Sequence, residues 1–425
     1  MKGSTRREFL GAAAVSGAIV SRALGADEPG PPVVKLGVIG VGWYGVVDAK
    51  AALGLGGAEV VAVCDVDSEH LTRSADEIEK LQGTRPRGFK HYRELLDTPG
   101  LDAVIIASPP QWHALMFLDA LEKGLDIYCE KPLAYDVREG QAMVQAAQRS
   151  DRIVQIGFQR RQSKALAAVK ELIDAGELGR IVQVDAQIHY RAGTDDPTPQ
   201  DPPESLDWDL WCGPAPKIPY SPQVGHLKWR LEKTTGHGHL VDWGIHNIDA
   251  ARMVLGLATP KQVTAAGGLY QYAGKITTPD TLTVHFEFDR CPVVWRHRLW
   301  GSQEYAPEVN NGLFFYGERG TVFASDARYV VIRGPKDREE VELPAQLGPD
   351  HMADFLHAVR TRKPPSCGVE EGFRSTLAVQ LGMIAFDTAS TVRWDEEGKQ
   401  ISDNAPAAEL LRREYRDPYR HPWPG

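Results

Sequence analysis

The stretch "PPVVKLGVIGVGWYG", Pro31 to Gly45, runs from an apolar β-branched segment (Val33 to Ile39) directly into Gly40-Val41-Gly42-Trp43-Tyr44-Gly45. A strand that ends in G-x-G-x-x-G and opens a helix is a phosphate cradle. The glycines allow a tight turn and close backbone approach, and the helix N-terminus faces the pyrophosphate charge. A second strand, "AEVVAVCDVD", ends at Asp65, twenty residues after Gly45, where an acid would take the adenosine ribose hydroxyls. Asp65 would repel a ribose phosphate and no arginine follows at once, so NAD is favoured over NADP.

Further along, "YRELLDTPGLDAVIIASPP" and "HALMFLDALEKGLDIYCEKPLA" each read as a helix followed by a buried strand. Repeating βα units with near-continuous apolar strands predict a doubly wound parallel Rossmann sheet over 33–152, with its ligand at the strand C-terminal ends. Two groups fall at such ends: Ser108-Pro109-Pro110 with His113, and Glu130-Lys131-Pro132. Both are expected to touch the cofactor, and Lys131 to lie beside the nicotinamide.

Beyond 153 the pattern changes. "RIVQVDAQIHY", "TLTVHFEF", "PVVWRHRLW" and "NGLFFYG" alternate apolar and polar residues between turns, which predicts an α+β domain with an open, mostly antiparallel sheet over 153–400. A Pro-rich insertion over 191–236 carries Trp208, Trp211, Tyr220 and Trp229. Aromatic residues in a long loop either anchor it or stack on sugar rings, and Trp229 is the candidate for sugar contact. Residues 401–425, ending "REYRDPYRHPWPG", read as an extended tail on the surface or on a neighbouring subunit.

The segment "GHGHLVDWGIHNID", 236–249, concentrates proton-handling groups. If Leu240 to Leu255 is helical, Asp242, His246 and Asp249 share one face at i, i+4 and i+7, which suits a carboxylate orienting an imidazole. Alcohol oxidation needs a hydride acceptor and a base for the hydroxyl proton, and histidine titrates in the useful range. His246 is therefore the candidate base with Asp242 as its partner, and Lys131 the donor to the reacting oxygen. Zinc held by His237, His239, His246 and Asp242 is the weaker reading, because the histidines sit in a Gly-flanked loop without a recognised ligand spacing. No metal is expected.

"GVIGVGWYG", "ASPPQWHALMFLDALEKGLDIYCEKPLA", "IGFQRR" and "DWGIHNID", in this order, resemble the Gfo/Idh/MocA family of sugar and polyol oxidoreductases. The resemblance implies catalytic roles for Lys131, Asp242 and His246 and substrate contacts at Arg161, Arg230 and Asp249. It also implies a cis bond before Pro132 and a homo-oligomer, dimer or tetramer. Pro110 stands where the family often has Asn, and Gly236-His237-Gly238-His239 replaces its Gly-rich run.

Composition excludes some partners. With 48 Lys and Arg against 57 Asp and Glu, the net charge is −9, so nucleic acid lacks its electrostatic footprint. Five cysteines without a C-x-x-C pair suggest buried thiols rather than a disulfide framework. Residues 1–26 carry Arg6-Arg7, Phe9-Leu10 and a short apolar run, resembling a twin-arginine export signal that implies a periplasmic chain without a membrane anchor after its removal. Outside the cell no nicotinamide pool exists, so NAD would stay bound and be recycled on the protein. The expected activity is oxidation of a secondary hydroxyl of a carbohydrate, coupled to reduction of another. The alternatives are NAD-dependent glycoside cleavage by oxidation, elimination and reduction, and a cofactor-retaining protein without turnover.

Overall fold

A computed structural model describes residues 32–301 and 309–424. The export signal read over 1–26 lies outside the described residues.

The glycine turn sits where the pattern predicts. Strand β1 (Val34–Ile39) leads through Gly40 to α1 (Tyr44–Gly54), then β2 (Ala58–Cys64), α2 (Ser68–Gln82), β3 (Arg87–Phe89), α3 (Tyr92–Leu96), β4 (Ala103–Ile106), α4 (His113–Glu122), β5 (Asp126–Cys129), α5 (Val137–Gln148) and β6 (Val154–Ile156). These strands form a six-stranded sheet in the order β3-β2-β1-β4-β5-β6, parallel throughout. All four residues of β4 are fully buried, as expected of strands covered by helices on both faces. The order reverses between β1 and β4, so the crevice at their carboxyl ends is where a ligand should lie.

The first domain reaches past the expected boundary at 152. Strand β6 completes its sheet by pairing with β5, a three-residue run too short to stand out in the sequence. A helix from far downstream, Leu347–Thr361, also packs into this layer, where Met352, Phe355 and Leu356 join the core with Leu36, Val38 and Ile105.

The second sheet has ten strands and spans Ile181–His189 to Gln400–Ser402. Ile181–His189 and Pro292–Arg298 pair in parallel, and the other pairings are antiparallel. Thr281–Glu287 shows the half-covered pattern, with Leu282, Val284 and Phe286 buried and Thr283, His285 and Glu287 exposed. Helices Ile245–Leu255 and Val369–Asp387 fill the covered face. The tail departs from the extended surface segment expected for 401–425. Gln400–Ser402 is a strand of this sheet, Ala405–Glu409 is a short helix, and Leu411 is buried. All five cysteines are free and buried.

Two buried histidines, His297 and His351, and the half-buried His237 are held near pKa about 4 by loss of hydration, against an ordinary 6.5. The unfolded chain takes up these protons as pH falls through 6.5, whereas the folded chain resists until about 4, so stability present above 6.5 is lost across that window. Thermal unfolding should therefore show a melting temperature that drops between pH 7 and pH 5. An unchanged melting temperature contradicts the burial of these rings.

Candidate active site

The cofactor cradle is built from its glycines. Gly40 has φ +87°, and a Cβ there would lie 2.7 Å from the Ser108 nitrogen; at Gly45 it would lie 2.1 Å from the Gly40 carbonyl oxygen. Glycine is required at both for steric reasons. At Gly42 a Cβ would meet His70 Nδ1 at 2.8 Å, so glycine lets the imidazole pack against the turn. The crevice is a cavity of about 820 Å³, at the upper end of ligand pockets. Gly40, Gly42, Trp43, Tyr44, Asp65, Ser108, Pro109, Trp229 and Arg230 all line it. Asp65 holds the turn by accepting from the Val41 N–H at 2.9 Å and the Asp67 N–H at 3.0 Å. These residues fit a dinucleotide.

Of the residues expected at the cofactor, Gly45, His113, Glu130 and Lys131 do not line the cavity, and His113 and Glu130 stand behind it. His113 is buried with Nδ1 2.8 Å from the Pro132 carbonyl and Nε2 2.8 Å from the Ser108 carbonyl. Burial lowers its pKa, and a neutral ring donates to only one of them, so His113 braces the β4 end against the Lys131 loop. Glu130 is also buried; Gln159 Nε2 donates to it at 2.6 Å and the Lys131 N–H at 3.2 Å. Burial pushes its pKa up to about 7. Both lie one layer deeper than strand-end position alone suggests.

The catalytic candidates cluster with a different pairing from the expected one. The Lys131–Pro132 bond is cis, and Lys131 Nζ donates to the Asp242 carbonyl at 2.7 Å and to its Oδ1 at 3.0 Å. Arg230 Nε donates to the same Oδ1 at 3.1 Å. Burial raises the Asp242 pKa, but Lys131 and Arg230 outweigh it and hold the carboxyl well below its usual range. His246 Nδ1 is buried without a hydrogen-bond partner. Burial first, then Lys131 and Arg160, keep that ring neutral. The expected Asp242 to His246 bond is therefore replaced by Asp242 to Lys131. The cause is local: Leu240–Gly244 is wound as a π-turn, and the α-helix begins only at Ile245. A wider turn changes the angle between positions four apart, and such turns recur at functional sites.

The other substrate candidates divide. Arg161 and Asp249 form a buried two-pronged ion pair at 2.9 and 2.7 Å, closed by the Ser375 hydroxyl and backed by Glu371. Their side chains are 7% and 1% exposed, so they fasten the helix of His246 and do not face a substrate. Arg230 lies over Trp43 at 5.5 Å and over Trp229 at 4.3 Å, joining the glycine turn to the insertion beside Asp242. Trp208, Trp211 and Tyr220 anchor the insertion: the two indoles stack at 4.5 Å and Tyr220 packs edge-on against Trp208.

The four residues weighed as a zinc set do not gather. His237 bonds the Tyr135 carbonyl at 3.0 Å, while His239 is buried against Tyr190 and His297. Among the described residues, two other groups of possible ligands do draw together, Asp67 with His70 and His226, and Asp136 with Glu139 and His421. In each a histidine already pairs with an aspartate, at 2.9 and 3.0 Å, fastening the insertion and the tail. His70, Trp112, Trp211, His226 and Tyr419 also line the cavity. The sequence marks these only as aromatic and histidine-rich loops.

Residues 34–158 match the model of an oxidoreductase family with an NAD-binding Rossmann fold, and 164–421 match the C-terminal α/β domain of the same family. The chain belongs to the Gfo/Idh/MocA oxidoreductase family. Inositol 2-dehydrogenase of Salmonella typhimurium is 33% identical over 163 residues, 38% of this chain. The match spans 47% of that relative, about half its length. Levoglucosan dehydrogenase, solved with NADH and levoglucosan, superposes with TM-score 0.68 at 19% identity, over 85% of this chain and 99% of that one. Aldose-aldose oxidoreductase from Caulobacter crescentus, solved with glycerol, gives 0.67 at 18% identity with the same coverage. Both likenesses are of fold. Residues 34–158 are the NAD-binding Rossmann domain of this family.

Asp249→Asn should cost about 1–3 kcal/mol of stability, because it removes the two-pronged partner of the buried Arg161 and leaves it only the half-exposed Glu371. It should leave the KM for the substrate near the parent value. Urea unfolding and steady-state kinetics check this; a raised KM without loss of stability would return Asp249 to the substrate.

Proposed function

We propose that the protein is an NAD-dependent oxidoreductase acting on a secondary hydroxyl of a sugar, polyol or glycoside, with NAD kept bound and recycled between two substrates. The carrying observation is the convergence of Lys131 and Arg230 on Asp242, beside a neutral His246 whose Nδ1 has no partner.

Bound NAD supplies the hydride acceptor. His246, kept neutral by burial and by two nearby cations, is free to take the hydroxyl proton. Lys131 is aimed by Asp242 and donates to the same oxygen as negative charge grows there. In the return half-cycle the roles reverse: His246 gives its proton to the oxygen of the second substrate while Lys131 steadies it. Arg230, packed on Trp43 and Trp229, holds the glycine turn and the insertion together at this end of the cavity.

The relatives support the substrate class through what their names state of them: inositol, levoglucosan and aldoses are all polyhydroxylated rings or chains. An aldose-aldose oxidoreductase in the same fold supports the redox-neutral form. The export signal proposed for 1–26 adds a reason for retention, since an exported chain meets no nicotinamide pool. Fractionation that leaves the full chain in the cytoplasm removes that reason.

The test is spectroscopic. Protein purified without added nucleotide and mixed with a panel of sugars and polyols should develop a reduced-nicotinamide band that fades on adding a second, carbonyl-bearing sugar. Silence across the panel overturns the proposal, and release of aglycone from aryl glycosides without a lasting band redirects it to glycoside cleavage. His246→Ala and Lys131→Ala should retain NAD yet lower kcat by about 10² to 10⁴. With a neutral His246 as base, kcat should hold its level down through pH 6.5 and fall only below it. A fall beginning above pH 6.5 contradicts the assignment.

A further inference from the structure

The C-terminal tail reaches the cofactor cavity. Pro418 and Tyr419 line it, and the Tyr419 ring stands edge-on to Trp112 at 5.2 Å. Trp112 also lines the cavity and donates Nε1 to the Leu210 and Trp211 carbonyls of the insertion. Trp112 and Tyr92 are in edge contact at 5.7 Å. The Asp65 N–H bonds the Phe89 carbonyl at 3.2 Å, three residues before Tyr92, so this wall lies on the side of Asp65, where the ribose hydroxyls of the adenosine half are expected.

The tail is fastened more firmly than a chain end needs to be, since termini fray unless tied down. His421 Nε2 meets Asp136 Oδ2 at 3.0 Å with side chains 2% and 5% exposed. Arg413 meets Glu139 at 2.9 Å, with Glu139 fully buried, and the Tyr415 hydroxyl donates to the same carboxylate at 2.7 Å. Arg416 donates to Asp209 Oδ1 at 2.7 Å and to the Gly213 carbonyl at 2.9 Å, tying the insertion to the tail. From below, the insertion is latched to the turn after β2 by His226 on Asp67 and by the Ser68 N–H on the Ser205 carbonyl. Two segments distant in sequence are thus clamped together around the cavity.

We infer that residues 411–424 form a strap that closes the adenosine end of the dinucleotide cavity, with Tyr419 as the ring that faces the adenine nucleotide, and that this strap makes NAD a resident cofactor. The inference rests on the NAD reading above and extends it by naming what retains the nucleotide. Opening requires Tyr419 to leave Trp112 and Arg416 to leave the insertion, so release of the nucleotide is slow.

The experiment measures NADH release by stopped flow: nucleotide fluorescence is followed as excess NAD displaces NADH from the full chain, from Tyr419→Ala, from Arg420→Ala and from a chain ending at Arg412. Tyr419→Ala should release NADH about ten to a hundred times faster, the range that one aromatic contact with a base supplies. The shortened chain should release it faster still. Arg420, 81% exposed and paired with Asp417, is the control and should leave the rate unchanged. If the shortened chain does not fold, Tyr419→Ala with an unchanged melting temperature decides alone. Equal release rates from the folded variants overturn the strap while leaving the NAD reading intact, whereas a full chain that binds no NADH overturns both.

Discussion

A single buried carboxylate organises this protein's proposed chemistry. Asp242 Oδ1 accepts from Lys131 at 3.0 Å and from Arg230 at 3.1 Å. Lys131 comes from the end of the fifth parallel strand, Arg230 from the insertion, and Asp242 from the turn before the helix of His246. Two cations repel each other unless a charge sits between them, and an unpaired buried carboxylate is costly to keep ionised. Each of the three therefore requires the other two. The pairing also frees His246, whose Nδ1 would otherwise be the carboxylate's natural partner.

Beside this centre, and joined to it through Arg230, the cofactor cavity is assembled from three layers of different origin. The Rossmann turns give the floor, fixed by the steric demands of Gly40 and Gly45. The insertion gives one wall, stiffened by its own cluster of Leu206, Trp208, Trp211, Cys212 and Val224. The tail gives another, held by buried ion pairs to the start of α5. Only the floor is made of local sequence. The walls depend on contacts between residues as far apart as Gln111 and Arg413, which are 302 positions apart.

That division explains what the sequence discloses. The doubly wound sheet, the glycine turn and Asp65 are legible because their spacing is fixed within one βαβ unit by backbone geometry. Lys131, Asp242 and His246 are legible as a set, since motif and family resemblance name them, but their wiring is not. Helical spacing pairs Asp242 with His246, and the π-turn at Leu240–Gly244 leaves no such signal in residue type. Arg161 and Asp249 look like polar groups free for a substrate until folding brings them together across 88 residues. The tail reads as a surface segment because charged and aromatic residues suit an exposed strand as well as a buried clamp.

Asp242 is wired to Lys131 and not to His246, and a double-mutant cycle on kcat/KM between Lys131→Met and Asp242→Asn measures this most directly. If Asp242 acts by aiming Lys131, the two changes are strongly non-additive, and the double variant is scarcely worse than Lys131→Met alone. Additive losses for this pair, with strong coupling between Asp242→Asn and His246→Ala instead, would contradict it and restore the carboxylate to the histidine.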